Sequence, residues 1–141
     1  MSDLFPEALS EKRKEATLAD RIGAEFTPAT ALTDERKRDV KNAVAGLNSE
    51  FSTELAAANK AYKLPERLLV TLLAVESSGR TDAGSSKGAA GLGQLMPETA
   101  IELGLTVDDT VDERFDGPKN IDASAKYLAR LIKASDGDVG V

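Results

Sequence analysis

Glu76 is the residue whose type and surroundings point most directly to chemistry. Leu68 and Leu72 precede it at spacings of four and four, and Leu69 and Leu73 at seven and three. That pattern places Glu76 on the apolar face of a helix, at its C-terminal end, just before a glycine-rich segment. Partial desolvation and the negative end of the helix dipole both favour the neutral carboxyl, so a raised pKa is expected. A neutral carboxylic acid near neutral pH is what a general acid needs to protonate a leaving oxygen. The plainer reading of the same residue is a rim glutamate paired with Arg80, four positions on.

Composition removes most other chemistries. The 141 residues include no Cys and no His. Thiolate nucleophiles, disulfide scaffolds, Ser-His-Asp triads and Cys- or His-ligated metals are therefore out. There is no Trp, and the aromatics are Phe5, Phe26, Phe51, Phe115, Tyr62 and Tyr127. Acid–base work falls to a carboxylate, a Lys or a Tyr. No metal or organic cofactor is expected. Lys and Arg total 18 against 24 Asp and Glu, a net charge of −6. Such a chain has little Coulomb pull on nucleic acid, and no direct nucleic-acid binding is expected.

The elements that would position Glu76 read as mainly α, with no alternating strand pattern. Pro65 suits the first turn of its helix and Gly79 the end of it. Residues 80–95 read as a long glycine-rich loop or a short strand-like excursion. Pro97 starts another helix, ended by Gly104, and residues 105–119 form an acidic loop. A last helix runs from Asn120, read as its cap, to about Ala134. Upstream, Thr33 is a good N-cap. Val40, Val44, Leu47, Phe51, Leu55, Ala58 and Tyr62 then make one apolar stripe, so 34–61 reads as a single long helix. Its default use is core packing, and a coiled-coil contact with another chain is the alternative. Residues 1–31 read as a partly helical or disordered arm. The longest apolar stretch, Leu68 to Val75, is far short of the roughly 20 residues a membrane span needs. The first residues lack an apolar h-region, so no secretory signal is expected.

Three blocks in order carry a resemblance. They are Tyr62 to Pro65 with Val75-Glu76-Ser77; Ser85 through Gly91-Leu92-Gly93-Gln94-Leu95-Met96-Pro97 to Ala100; and Phe115-Asp116 with Pro118, Asn120-Ile121 and Tyr127-Leu128. Together, residues 62–132 resemble the soluble lytic transglycosylases, a branch of the lysozyme-like superfamily. The resemblance implies that Glu76 is the single catalytic acid/base. It would protonate the glycosidic oxygen between N-acetylmuramic acid and N-acetylglucosamine, then take the proton of the muramoyl 6-hydroxyl. The product is a 1,6-anhydro sugar. Because the substrate supplies the nucleophile, the two-carboxylate layout of other glycosidases is not required. The nearest other carboxylate, Asp82, sits in the loop. The resemblance also implies a substrate-binding set of Ser77, Ser85, Gly91, Gln94 and Met96. Ser77 would help hold the loop, Ser85 would hydrogen-bond the bound sugar, and Gln94 and Met96 would orient the glutamate and line the sugar site. Gly88 and Gly91 would let the backbone approach the substrate. The plainer readings are a loop serine bonded to its own backbone for Ser85 and core packing for Met96.

Two departures from the family pattern stand out. Gly93 occupies a position where the family carries Met or another large residue, which suggests a looser loop. The family also carries an Ala-Tyr-Asn-Ala-Gly stretch beyond the last helix, whose Tyr and Asn contact the glutamate and the substrate. This sequence stops at Val141, about where that stretch would begin, and Tyr127 matches the family's Tyr-Leu instead. Residues 62–141 therefore read as a transglycosylase-like domain shortened at its C-terminus. The helix 32–61 or a partner would cover the resulting gap, and Glu76 would lack positioning groups.

Without an export signal, a wall-cutting domain needs another route to peptidoglycan. The expected setting is a bacteriophage virion protein, delivered to the host periplasm or cell wall during DNA ejection. Its N-terminal helices would contact other virion or ejection proteins. The alternatives are a muramidase of the same fold, a catalytically weak structural part of the ejection apparatus, or a peptidoglycan binder that does not cut.

Overall fold

The computed structural model describes residues 33–139, with side chains through Ser135. The arm expected over 1–31 lies outside the described residues. Five α-helices follow in order: α1 (Asp34–Glu50), α2 (Ser52–Tyr62), α3 (Leu68–Ser77), α4 (Pro97–Glu102) and α5 (Gly117–Val139). A 3-10 turn, Glu113–Phe115, precedes α5. Among the described residues there is no strand ladder, only the isolated bridges Gly84 with Ala90, Ala90 with Leu95, and Val107 with Asp112. The mainly α class expected from the sequence is the class found.

Helix α1 starts as its sequence dictates. The Thr33 hydroxyl accepts from the amide of Arg36 at 3.1 Å, and Asp34 and Glu35 fill the first turn. The single helix expected over 34–61 is, however, two helices. Phe51 leaves the helical region (φ −124°, ψ 32°) and divides α1 from α2. Its ring packs over the start of α5, where a Cβ on Gly117 would stand 2.6 Å from Cζ. The bend lets α1 lie on α3 while α2 lies on α5. Periodicity could not reveal it, because the hydrogen bonds Phe51 N–H to Leu47 O and Leu55 N–H to Phe51 O carry the stripe across the bend. Leu47, Phe51, Leu55 and Ala58 are buried in the same core as α3 to α5. The stripe is thus spent inside the chain.

Helix α3 is apolar on every side, as a helix enclosed by others must be. Leu69, Leu72, Leu73 and Ala74 are essentially inaccessible, and burying each leucine contributes about 2 kcal/mol. This rigid rod carries Glu76 in its last turn. Pro65 lies in the turn before α3, where its carbonyl accepts from Leu68 at 3.2 Å.

Asn120 does not cap α5. The helix begins earlier, at Gly117, and the Asp116 carboxylate accepts from the Lys119 amide at 2.9 Å as the N-cap. Asn120 is fully buried in the first turn. Ile121, Ala125 and Leu128 face the core as expected, with Leu131 and Ile132 packed at its edge.

The acidic segment 105–119 is ordered by its own carboxylates. Asp108 accepts from the Thr110 and Val111 amides at 2.9 and 2.8 Å, and Glu113 pairs with Lys119 and accepts from the Thr106 amide. Backbone N–H groups hold Asp108 below the usual carboxylate range. The Arg114 side chain does the same for Asp112, and Lys119 for Glu113. A carboxyl depressed in the folded chain contributes stability above its unfolded pKa, near 4, and loses it as pH falls through the folded value. The melting temperature should therefore drop between pH 7 and pH 3, and Asp112→Asn should narrow that difference. Equal melting temperatures at the two pH values would contradict these assignments.

Candidate active site

Glu76 stands one residue from the end of α3. It is half-buried, and its Oε2 is shielded from solvent. The helix stops there through two successive left-handed residues, Ser78 (φ 57°) and Gly79 (φ 78°). The closing hydrogen bonds are Ser78 N–H to Ala74 O at 2.9 Å and Arg80 N–H to Ser77 O at 3.1 Å. Ser77 is buried. Its hydroxyl donates to Leu73 O at 2.9 Å and accepts from the Gly79 amide at 3.2 Å. The sequence places Ser77 with the sugar-binding residues; the structure spends its hydroxyl on bracing the helix end that carries Glu76.

The glycine-rich loop leaves from that helix end and folds back on itself. The Gly91 amide donates to Ala83 O at 2.8 Å, and Ala90 and Leu95 exchange two bonds of 3.1 Å. Ser85 is exposed at the tip. Its oxygen accepts from the Ala89 amide at 3.0 Å and the Lys87 amide at 3.3 Å. Those two bonds occupy the lone pairs and leave the O–H as a donor. Met96 is half-buried at the N-cap of α4. A Cβ on Gly88 would lie 3.7 Å from the Met96 methyl group, so this side chain covers the loop.

Gln94 is buried rather than presented to a cleft. Its Nε2 donates to Gly91 O at 2.8 Å and Ala83 O at 3.2 Å. Its backbone is left-handed (φ 52°), a conformation a non-glycine residue holds only where its surroundings enforce it. Gly91 (φ 79°) is buried too. A Cβ there would stand 2.0 Å from Arg114 O and 2.3 Å from Asn120 Nδ2, so the close approach it permits is to the chain's own backbone.

Gly93 reverses the expectation of a looser loop. A Cβ at this position would meet Ser124 Oγ at 1.9 Å and Asn120 Oδ1 at 3.0 Å. The space a larger residue would fill is already occupied by polar groups of α5. Asn120 Oδ1 accepts from the Gly93 amide and from the Ser124 hydroxyl, both at 2.9 Å, while its Nδ2 donates to Arg114 O at 2.8 Å. Gly93→Met should therefore lower stability by about 3 kcal/mol through overpacking. Urea unfolding would read this, and an unchanged midpoint would contradict it.

Three residues outside the expected set hold this loop. Asn120 and Ser124 are four apart on one face of α5, and both are fully buried. Arg114 is 7% exposed. Its Nη1 donates to Gly88 O and Leu95 O, both at 2.8 Å, bridging the two limbs of the loop. Its Nε and Nη2 grip Asp112 at 2.9 and 2.7 Å. An arginine two positions after an aspartate was the available signal, but the segment 105–119 read only as an acidic loop. Among the described residues, no cluster of carboxylates could hold a metal, and no helix is long and apolar enough to cross a membrane.

The described residues thus join one half-buried carboxyl at a braced helix end to a glycine-rich loop whose exposed tip carries a hydroxyl. The chain belongs to the Transglycosylase SLT domain family, whose profile matches residues 54–140. It is 33% identical over 102 residues to the membrane-bound lytic murein transglycosylase E of Buchnera aphidicola subsp. Acyrthosiphon pisum (strain APS), covering 69% of this chain and 44% of that protein. It is 39% identical over 74 residues to a transglycosylase of Enterobacteria phage PRD1, covering 52% of this chain and 26% of that one. The chain thus spans less than half the length of either relative in these matches. No solved structure matches it.

Proposed function

We propose that this chain is a peptidoglycan lytic transglycosylase in which Glu76 is the catalytic acid and base. The observation that carries the reading is the position of Glu76: one carboxyl, shielded at Oε2, held at the end of a rigid apolar helix. The mechanism requires this carboxyl to enter the reaction with its proton. In the first step it gives that proton to the oxygen linking muramic acid C1 to the next sugar, and the C1–O bond breaks. In the second, the muramoyl 6-hydroxyl oxygen bonds to C1 and its proton returns to Glu76. One bond is broken and one formed, no water is consumed, and the acid is regenerated. Ser85 at the loop tip orients the sugar, with Met96 beside it. Ser77 and Gln94 serve from behind, keeping helix end and loop in shape.

The likeness to a phage transglycosylase supports a setting in a phage particle. There the domain would open the host wall locally as DNA is ejected. The test is a digest of purified peptidoglycan resolved by mass spectrometry. Soluble muropeptides ending in 1,6-anhydro-muramic acid are the expected products. Products heavier by one water would identify a muramidase instead, and no product would remove the enzymatic reading.

A further inference from the structure

Helix α1 lies wholly before the matched family region, which begins at residue 54. It nevertheless reaches the end of α3. Among residues 33–39 only Arg36 is half-buried; the others are exposed. Arg36 stands one turn before Val40 on the face that continues through Ala43 and Leu47 into the core. Its Nη2 donates to Val75 O at 2.9 Å.

That carbonyl is one of the last four of α3, which have no partner within their own helix. Ala74 O is taken by Ser78 and Ser77 O by Arg80. Val75 O is satisfied only by reaching across to another helix. A guanidinium there also faces the negative end of the helix. Just beyond, a Cβ on Gly79 would touch Leu47 Cγ at 3.4 Å and Ala43 O at 3.5 Å, so α1 lies directly against the turn that follows Glu76.

The geometry points to Arg36 as a positioning residue for Glu76: the helix before the family domain is part of the frame of the active site. The inference rests on the proposed role of Glu76. It acts through the backbone, since the carbonyl that Arg36 holds belongs to the residue immediately before the acid.

The test compares the full chain with Arg36→Ala and Arg36→Lys, using soluble glycan strands as substrate. The assay temperature is one at which circular dichroism shows all three folded. Arg36→Ala should lower kcat about ten- to a hundred-fold, the scale on which small misplacements act, with KM nearly unchanged. Arg36→Lys, which can still donate to a helix-end carbonyl, should recover most of the loss. Amide hydrogen exchange should also rise over residues 76–80 in Arg36→Ala while Leu72 and Leu73 keep their protection. A rise in KM with kcat unchanged, or a loss that follows the unfolded fraction, would overturn the inference. If the native chain releases no product, the acid role of Glu76 fails on its own account. Arg36 as the brace of this helix end is then decided by exchange alone, and unchanged exchange over residues 76–80 overturns it.

Discussion

Replacing Glu76 by Gln is expected to lower the rate of glycan cleavage by about a thousand-fold or more, with little change in melting temperature. Gln has nearly the shape of Glu and keeps its packing in the last turn of α3, but it has no proton to give. General acid or base catalysis by one group contributes typically 10²–10⁴-fold, and in the proposed mechanism Glu76 serves both steps. Glu76→Asp is the sharper control. It keeps the acid but draws it back by one methylene, on a helix whose neighbours Val75 and Ser77 are buried and cannot follow. A displacement of that order costs about a hundred-fold, so Asp should fall between Glu and Gln. Release of anhydro-muropeptides, measured against folded protein, reads all three. If Glu76→Gln keeps activity within tenfold of the native chain, the single-carboxylate mechanism is wrong and Asp82, exposed in the loop, becomes the residue to replace next.

The position of Glu76 was legible because it depends on one local pattern. Leucines at helical spacing and a glycine shortly after define both a face and an end, and the residue between them has nowhere else to lie. Ser85 was legible as a loop serine, and its exposure follows from the glycines around it. What the pattern could not show is direction across space. Gln94 and Gly91 looked like groups offered to a substrate, yet both face inward to Ala83, Arg114 and Asn120. Gly93 looked like a missing packing group, because the atoms that fill its place come from Ser124, 31 residues further on. The bend at Phe51 was hidden for a related reason. The apolar stripe stays in register through it, and only the contact with Gly117 on a distant helix reveals why the chain turns. Local periodicity thus gave the elements, while the polar bonds between elements, which decide how the loop is held, had no local signature.

Those long-range bonds converge on Arg114, and its replacement by Met should be strongly destabilising. Met keeps much of the volume but leaves Gly88 O without its donor, takes one of two donors from Leu95 O, and strips Asp112 of its ion pair. Removing one partner of a buried pair costs about 3–5 kcal/mol, chiefly because the remaining charge is stranded. Asp112 retains the backbone amide of residue 114 at 3.1 Å and a side chain 25% exposed, which argues for the lower end, about 3 kcal/mol. For a domain of this size that is a fall in melting temperature of roughly 10–20 °C. The double variant Arg114→Met with Asp112→Asn separates the causes. If the stranded charge dominates, the second change should restore part of the loss, and the two effects should be far from additive. If they add, the cost lies in the two loop carbonyls instead. Either way, at a temperature where the variant is still folded, the limbs of the loop are no longer bridged behind Ser85. The KM for glycan strands should then rise more than kcat falls, because Ser85 is the proposed sugar contact while Glu76 remains on its own helix. A variant that melts within 2 °C of the native chain would show that the Arg114 bridge is not what holds the loop.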